Sequence, residues 1–169
     1  MSKKISIAID AMGGDNSPDK TIEGIKLFLD KNSKKNDFII NVFGNEDAIN
    51  DKLRKYKINF DYVKIIHTST IVSDEETPLT AIKNSKNTSM WKCIEHQLQG
   101  KSDISLSAGN TGVLLVISRM ILKMMKEVNK PALAGLWPSQ KGSAVVLDLG
   151  ANIDCNDQNL IDFAELGSA

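Results

Sequence analysis

The sequence carries no excess of either charge: its 169 residues hold 21 Lys and Arg against 21 Asp and Glu. A zero balance leaves no global field to draw in nucleic acid or an anionic membrane, so a charged partner has to meet a local patch. Cysteine is scarce. Cys93 and Cys155 lie far apart and in no CxxC pair, which excludes a disulfide framework and reads as two reduced thiols in a reducing compartment. Long apolar runs are missing too. Residues 5–9 are too few for a signal-peptide core, and Asp10 closes them. The longest apolar stretch starts at Val113 and is interrupted by Arg119, Lys123 and Lys126, so it does not span a bilayer. That spacing gathers the three cations on one face of an expected helix. An interfacial membrane helix has this pattern, and so does a core helix with a narrow wet face, which is the expectation here.

Several chemical signatures are also absent. Neither GxxxxGK[ST] nor GxGxxG occurs, and Gly109 and Gly112 match only the tail of the second, which speaks against a nucleotide cofactor. His67 and His96 stand apart from any Ser or Cys partner, so a nucleophilic triad is not indicated. No His, Cys and carboxylate grouping has metal-ligand spacing. The expected site uses no metal and no cofactor.

What is present is ordinary globular composition, 41% apolar and 25% charged, in a chain long enough to bury a core. Short β-rich runs alternate with helix-length segments. Residues 5–9, 38–43, 62–66, 103–106 and 144–149 read as strands. Helices are expected from Ser17-Pro18, over 46–55, from Thr77-Pro78, over 113–126, and from Asp157. In the helix after Pro78, residues 83–89 are all polar, and apolar spacing resumes only at Met90. This order predicts one α/β domain over residues 1–169, with a mostly parallel sheet and helices on both faces. No strand follows the last helix, so the chain reads as a small sheet or as the amino-terminal part of a longer fold.

Three strand-to-helix junctions are rich in small and polar residues. They are DAMGGDN at residues 10–16, SAGNTG at 107–112 and DLGAN at 148–152. In an open α/β sheet all three lie at the carboxyl ends of strands, where ligands bind. A glycine turn leading into a helix aims backbone N–H groups at an anion. Asn110, Thr111 and Asn152 are neutral donors suited to an oxyanion or phosphate. Asp10, Asp15 and Asp148 would repel phosphate if they touched it ionised, so they are expected to cap, orient donors or hold loops. For Lys83 and Lys86 two readings stand: positive charge offered to a ligand, or solvated surface.

On these motifs the chain resembles the phosphate acyltransferases of bacterial phospholipid synthesis. KPALA at 130–134, VLDLGANIDC at 146–155 and FAELGSA at 163–169 extend the resemblance, and Thr88-Ser89-Met90 is similar to a Ser-Ser-Met element in the same place. The chain departs from the family at Lys83, where arginine is usual, and at Thr88, where serine is usual. The resemblance implies a three-layer α/β/α sandwich, Rossmann-like and related to phosphotransacetylases. It implies formation of acyl phosphate from acyl-acyl carrier protein and inorganic phosphate, with Asn110, Thr111 and Asn152 as the catalytic donors. Asp10, Gly13, Gly14, Asp15, Lys83, Lys86, Ser107, Gly109, Gly112 and Asp148 form the implied substrate-binding set. It further implies a cytoplasmic enzyme at the inner face of the membrane, a homodimer when full length, handing acyl phosphate to a membrane-bound acyltransferase and binding no nucleic acid. Family members are much longer, so this chain alone is expected to be inactive. A short-chain phosphotransacetylase using acyl-CoA and a truncated, non-catalytic fragment are the alternatives.

Overall fold

The structure, a computed structural model, describes residues 4–32, 37–73, 77–150, 152 and 154–169. The chain divides into two compact units, Met1–Leu122 and Lys123–Ala169.

The first unit is an α/β layer structure. Its strands are β1 (Ile5–Asp10), β2 (Phe38–Gly44), β3 (Val63–His67) and β4 (Ile104–Ser107). They form a parallel sheet in the order β3-β2-β1-β4. The chain therefore builds outward from β1 to β3 and then crosses back to place β4 on the other side of β1. That reversal makes the carboxyl ends of β1 and β4 the switch point of the sheet, where a crevice opens in folds of this kind. Register puts Asp10 level with Phe43 on one side and Ser107 on the other.

Helices α1 (Asp19–Lys31) and α2 (Glu46–Lys55) cover one face. Ile22, Ile25 and Leu29 recur at helical spacing along α1 and are buried together with Ile40 and Val42 of β2 and Ile49 and Leu53 of α2. Asn45 caps α2, its side chain accepting from the Ala48 amide at 2.9 Å. On the other face α4 (Ser89–Leu98) lies across β1, β2 and β4, and Cys93 meets Ala8 and Phe43 there. Helix α5 (Thr111–Leu122) packs on α4 through Met90, Ile94, Val113, Ile117 and Ile121.

The polar run at 83–89 is the junction of two helices. Helix α3 (Pro78–Asn84) ends just after Lys83, and α4 begins with its own cap: the Thr88 hydroxyl accepts from the Trp91 amide at 3.2 Å and donates to the Ser85 carbonyl at 2.7 Å. Hydroxyls are favoured at such a position because they satisfy an amide the helix leaves orphaned. Helix α5 is shorter than the expected span of 113–126. Lys123 takes a left-handed φ of 64°, the conformation that commonly ends a helix. Arg119 is on the helix, whereas Lys123 and Lys126 lie beyond it, so the three cations do not share a helical face.

The second unit corrects the expected fifth parallel strand. Residues 144–149 fall largely in β6 (Gly142–Leu147), which pairs antiparallel with β5 (Ala134–Ser139) as a hairpin. Residues 140–141 form the turn, so the partner of β6 is its immediate predecessor in the chain. Helix α6 (Asp157–Ser168) packs on β6. Asn156 and Asn159 form a reciprocal capping box at its start, and the helix begins at Asp157 as expected. Among the described residues no helix is long and apolar enough to cross a membrane.

Candidate active site

The site grows from Asp10, the last residue of the central strand β1 and only 2% exposed. A buried carboxylate has to find donors, and its two oxygens do. Oδ1 accepts from the Met12 amide at 3.1 Å, and Oδ2 accepts from the Ser107 hydroxyl at 2.7 Å. The Ser107 oxygen in turn accepts from the Gly109 amide at 3.1 Å. One chain of bonds thus ties the loop after β1 to the loop after β4, across the switch point.

Glycine lets those loops touch. A Cβ on Gly13 would stand 2.7 Å from Asp10 Oδ2 and 2.8 Å from the Gly109 amide nitrogen. Gly14 has a left-handed φ of 87°, and a Cβ there would meet the Ala108 carbonyl oxygen at 2.7 Å. The backbones approach each other, a closer contact than any side chain permits. The Ser17 hydroxyl lies 2.6 Å from the Gly13 carbonyl and 2.7 Å from that of Gly14, tightening the first loop. Met90 reaches Gly109 from α4. Sequence spacing shows Ser17 as part of a helix start and Met90 as a core position and part of the Thr88-Ser89-Met90 element, and neither contact is visible there.

Helix α5 starts at this meeting point. Asn110 precedes it, and its side-chain oxygen accepts from the Val113 amide at 3.1 Å. Thr111 is the first helical residue and is exposed. Gly112 lies in the same turn, close to the ring of Pro78 at the start of α3. Asp15 is exposed at the tip of the first loop. Lys83 and Lys86 are exposed in the last turn of α3 and in the link to α4, outside the Asp10–Ser107–Gly109 chain of bonds.

The third junction follows β6, which is not a strand of the parallel sheet. It has its own closure. Asp148, with a left-handed φ of 59°, accepts on Oδ1 from the Asn152 backbone amide at 3.1 Å and from its side-chain NH2 at 2.7 Å. The same NH2 donates to the Pro131 carbonyl at 2.8 Å, and the Lys130 ammonium donates to the Asp154 carbonyl. The Asn152 NH2 therefore has two acceptors within its own loop. Ala151 and Ile153 of this motif lie outside the described residues.

Three other groups are set by their surroundings. Burial pushes the Cys93 thiol up to about 12, with the Asp10 charge adding to it, so it is an inert core side chain. The thiol of Cys155, though exposed, is also raised, by loss of neighbouring water and by donation to Asp148 Oδ2 at 3.4 Å. His96 bonds Ser102 at 2.8 Å and stacks edge-on against Phe43. Burial, Lys101 and Lys64 lower its pKa, which favours the neutral ring. Among the described residues no cluster of three or more His, Cys, Asp or Glu is placed to hold a metal ion.

The family model described as "Fatty acid synthesis protein" matches residues 5–169. The phosphate acyltransferase of Pelagibacter ubique is 49% identical over 169 residues, covering 100% of this chain and 49% of that protein. That of Azorhizobium caulinodans is 38% identical over 170 residues, covering 100% and 47%. That of Anaplasma phagocytophilum is 39% identical over 166 residues, covering 98% and 48%. The chain spans about half the length of the curated relatives it matches.

Replacing Gly13 by alanine should force the two loops apart, because its methyl would meet backbone and a buried carboxylate. We expect a loss of about 1–3 kcal/mol in unfolding free energy, measured by urea denaturation. An unchanged midpoint and slope would show that the loops do not need this contact.

Proposed function

This chain belongs to the fatty acid synthesis protein family, and from that premise we propose that its two interlocked loops form part of a site making acyl phosphate from a fatty acyl thioester and inorganic phosphate. The observation that carries this reading is the junction at the sheet's switch point. There Asn110 and Thr111 open α5 directly beside the Gly13–Gly109 contact.

The chemistry asks little of side-chain acids or bases. A phosphate oxygen attacks the thioester carbonyl carbon, forming a C–O bond and a tetrahedral oxyanion. That intermediate collapses with cleavage of the C–S bond, and the sulfur leaves as thiolate. Phosphate is already anionic near neutrality, and a thiol of pKa about 8.5 departs with little proton help. Positioning and oxyanion stabilisation remain. The first-turn amides of α5, the Asn110 NH2 and the Thr111 hydroxyl are the donors we assign to that task. Asp10 and Ser107 hold the loops in register and do not themselves meet phosphate. In this reading Lys83 and Lys86 face the acidic acyl carrier protein that delivers the thioester, while Asn152 serves as a clasp of its own loop.

The test joins residues 1–169 to the part of the Pelagibacter relative that lies beyond the match, and follows acyl phosphate formation from palmitoyl-acyl carrier protein. Asn110→Ala should lower turnover about 10²-fold or more, as loss of an oxyanion donor does. Turnover near that of the parent, in a folded variant, would remove Asn110 from the site. In the same chimera, Lys83→Gln with Lys86→Gln should raise KM for the carrier and flatten its salt dependence. An unchanged salt slope would assign both lysines to solvated surface.

A further inference from the structure

An apolar groove runs along the first unit between α1 and the β1–β4 side of the sheet, with a volume of about 360 Å³. It falls within the size range of small-molecule pockets, roughly 300–1,000 Å³. Its walls are Ile7 and Ile9 of β1, Ile40 of β2, Leu106 of β4, and Ile25 and Phe28 of α1. Polar lining is concentrated toward one end, at Asp10, Ser107 and Thr21. Along β1 the groove extends from Ile7 to Asp10, and along α1 from Phe28 back to Thr21, which is about 10 Å by either rise.

Two features set it apart from an ordinary packing gap. It ends on Asp10, Ser107 and Ala108, the residues that tie the two loops together, so it is continuous with the candidate site. Its helical wall also contains Gly24, in the middle of α1. Glycine in a helix interior is unfavourable by roughly 0.5–1 kcal/mol relative to alanine. No neighbour requires it here, because a Cβ on Gly24 would meet nothing within 4 Å. The space in front of Gly24 is open, and a larger side chain would fill it.

We propose that this groove seats the acyl chain of a long-chain thioester, with the carbonyl end at the glycine loops and the methylenes running past Gly24 towards Phe28. This rests on the phosphate acyltransferase reading and adds to it the place of the chain. A lining that is apolar along its length and polar at the reacting end suits a fatty acyl group. It gives nothing to a short polar acyl donor such as acetyl. Burial of each methylene is favourable by about 0.8 kcal/mol, so affinity should rise with chain length until the groove is full.

The test titrates the 169-residue chain with cis-parinaric acid, read by its fluorescence, and separately with inorganic phosphate, read by phosphorus NMR. The parent should bind the probe saturably, with release by palmitate and not by butyrate. Gly24→Leu should weaken probe binding about tenfold or more while phosphate binding is unchanged. If Gly24→Leu does not unfold cooperatively, Leu106→Asp, at a half-exposed wall position, carries the same expectation. Equal probe binding by parent and variant would overturn the groove assignment and leave the loops' reading intact. Loss of phosphate binding in the parent, with probe binding still sensitive to Gly24→Leu, would sustain the groove and overturn the loops' reading. A parent that self-associates through this face and dissociates on Gly24→Leu, with no saturable probe binding, would assign the groove to a protein segment and overturn the proposal.

Discussion

The bond between the Asp10 carboxylate and the Ser107 hydroxyl, 2.7 Å long, is the constraint on which the site depends. It joins the final residues of two neighbouring parallel strands at the one place where the sheet's order reverses. A carboxylate buried to 2% exposure is tolerable only with its donors in place. Each donor therefore becomes a fixed point: Met12 for the first loop, Ser107 for the second, and Gly109 through Ser107. Once the loops are held at that spacing, Gly13 and Gly14 are required, since any side chain would push them apart. The start of α5, with Asn110 and Thr111, is then delivered to the crevice. The opposite edge of the sheet is held by a second polar set. Asn41 and Ser102 are buried there and meet the half-buried Ser6 and His96 through hydrogen bonds of 2.8–3.4 Å. Strand β4 is thus tied to β1 at both ends.

Much of this was legible in the sequence because local and tertiary preferences agree. Helix α2 falls at residues 46–55 as expected, since Asn45 is a strong cap and Ile49 and Leu53 recur at helical spacing. The four parallel strands fall within a residue or two of their expected bounds, because each is a short apolar or alternating run bounded by turn residues. The glycine junctions after β1 and β4 were legible as turns. Their contact with each other was not, because sequence spacing gives no information about which loops meet.

The departures have physical causes. Strand β5 contains Gly135 and Pro138, residues that weaken a strand signal. Its turn, Gln140 and Lys141, lacks the Asn-Gly or Asp-Gly signature of a tight hairpin. Strand β6 therefore read as one more parallel strand. The end of α5 was hidden because Lys123, not glycine, takes the left-handed position. The polar run at 83–89 concealed a second helix start because the hydroxyl cap at Thr88 sat among other polar residues. The acceptors of the Asn152 side chain, Asp148 and the Pro131 carbonyl, are visible only in three dimensions.

The central claim is that Asp10 and Ser107 act as one unit in holding the two loops together. A double-mutant cycle of Asp10→Ala and Ser107→Ala, with unfolding free energies from urea denaturation, tests it directly. The two substitutions should be strongly non-additive, with a coupling of about 1 kcal/mol or more, because either change alone already breaks the shared bond. Additivity within about 0.5 kcal/mol would mean that the residues act independently and that something else sets the spacing of the loops.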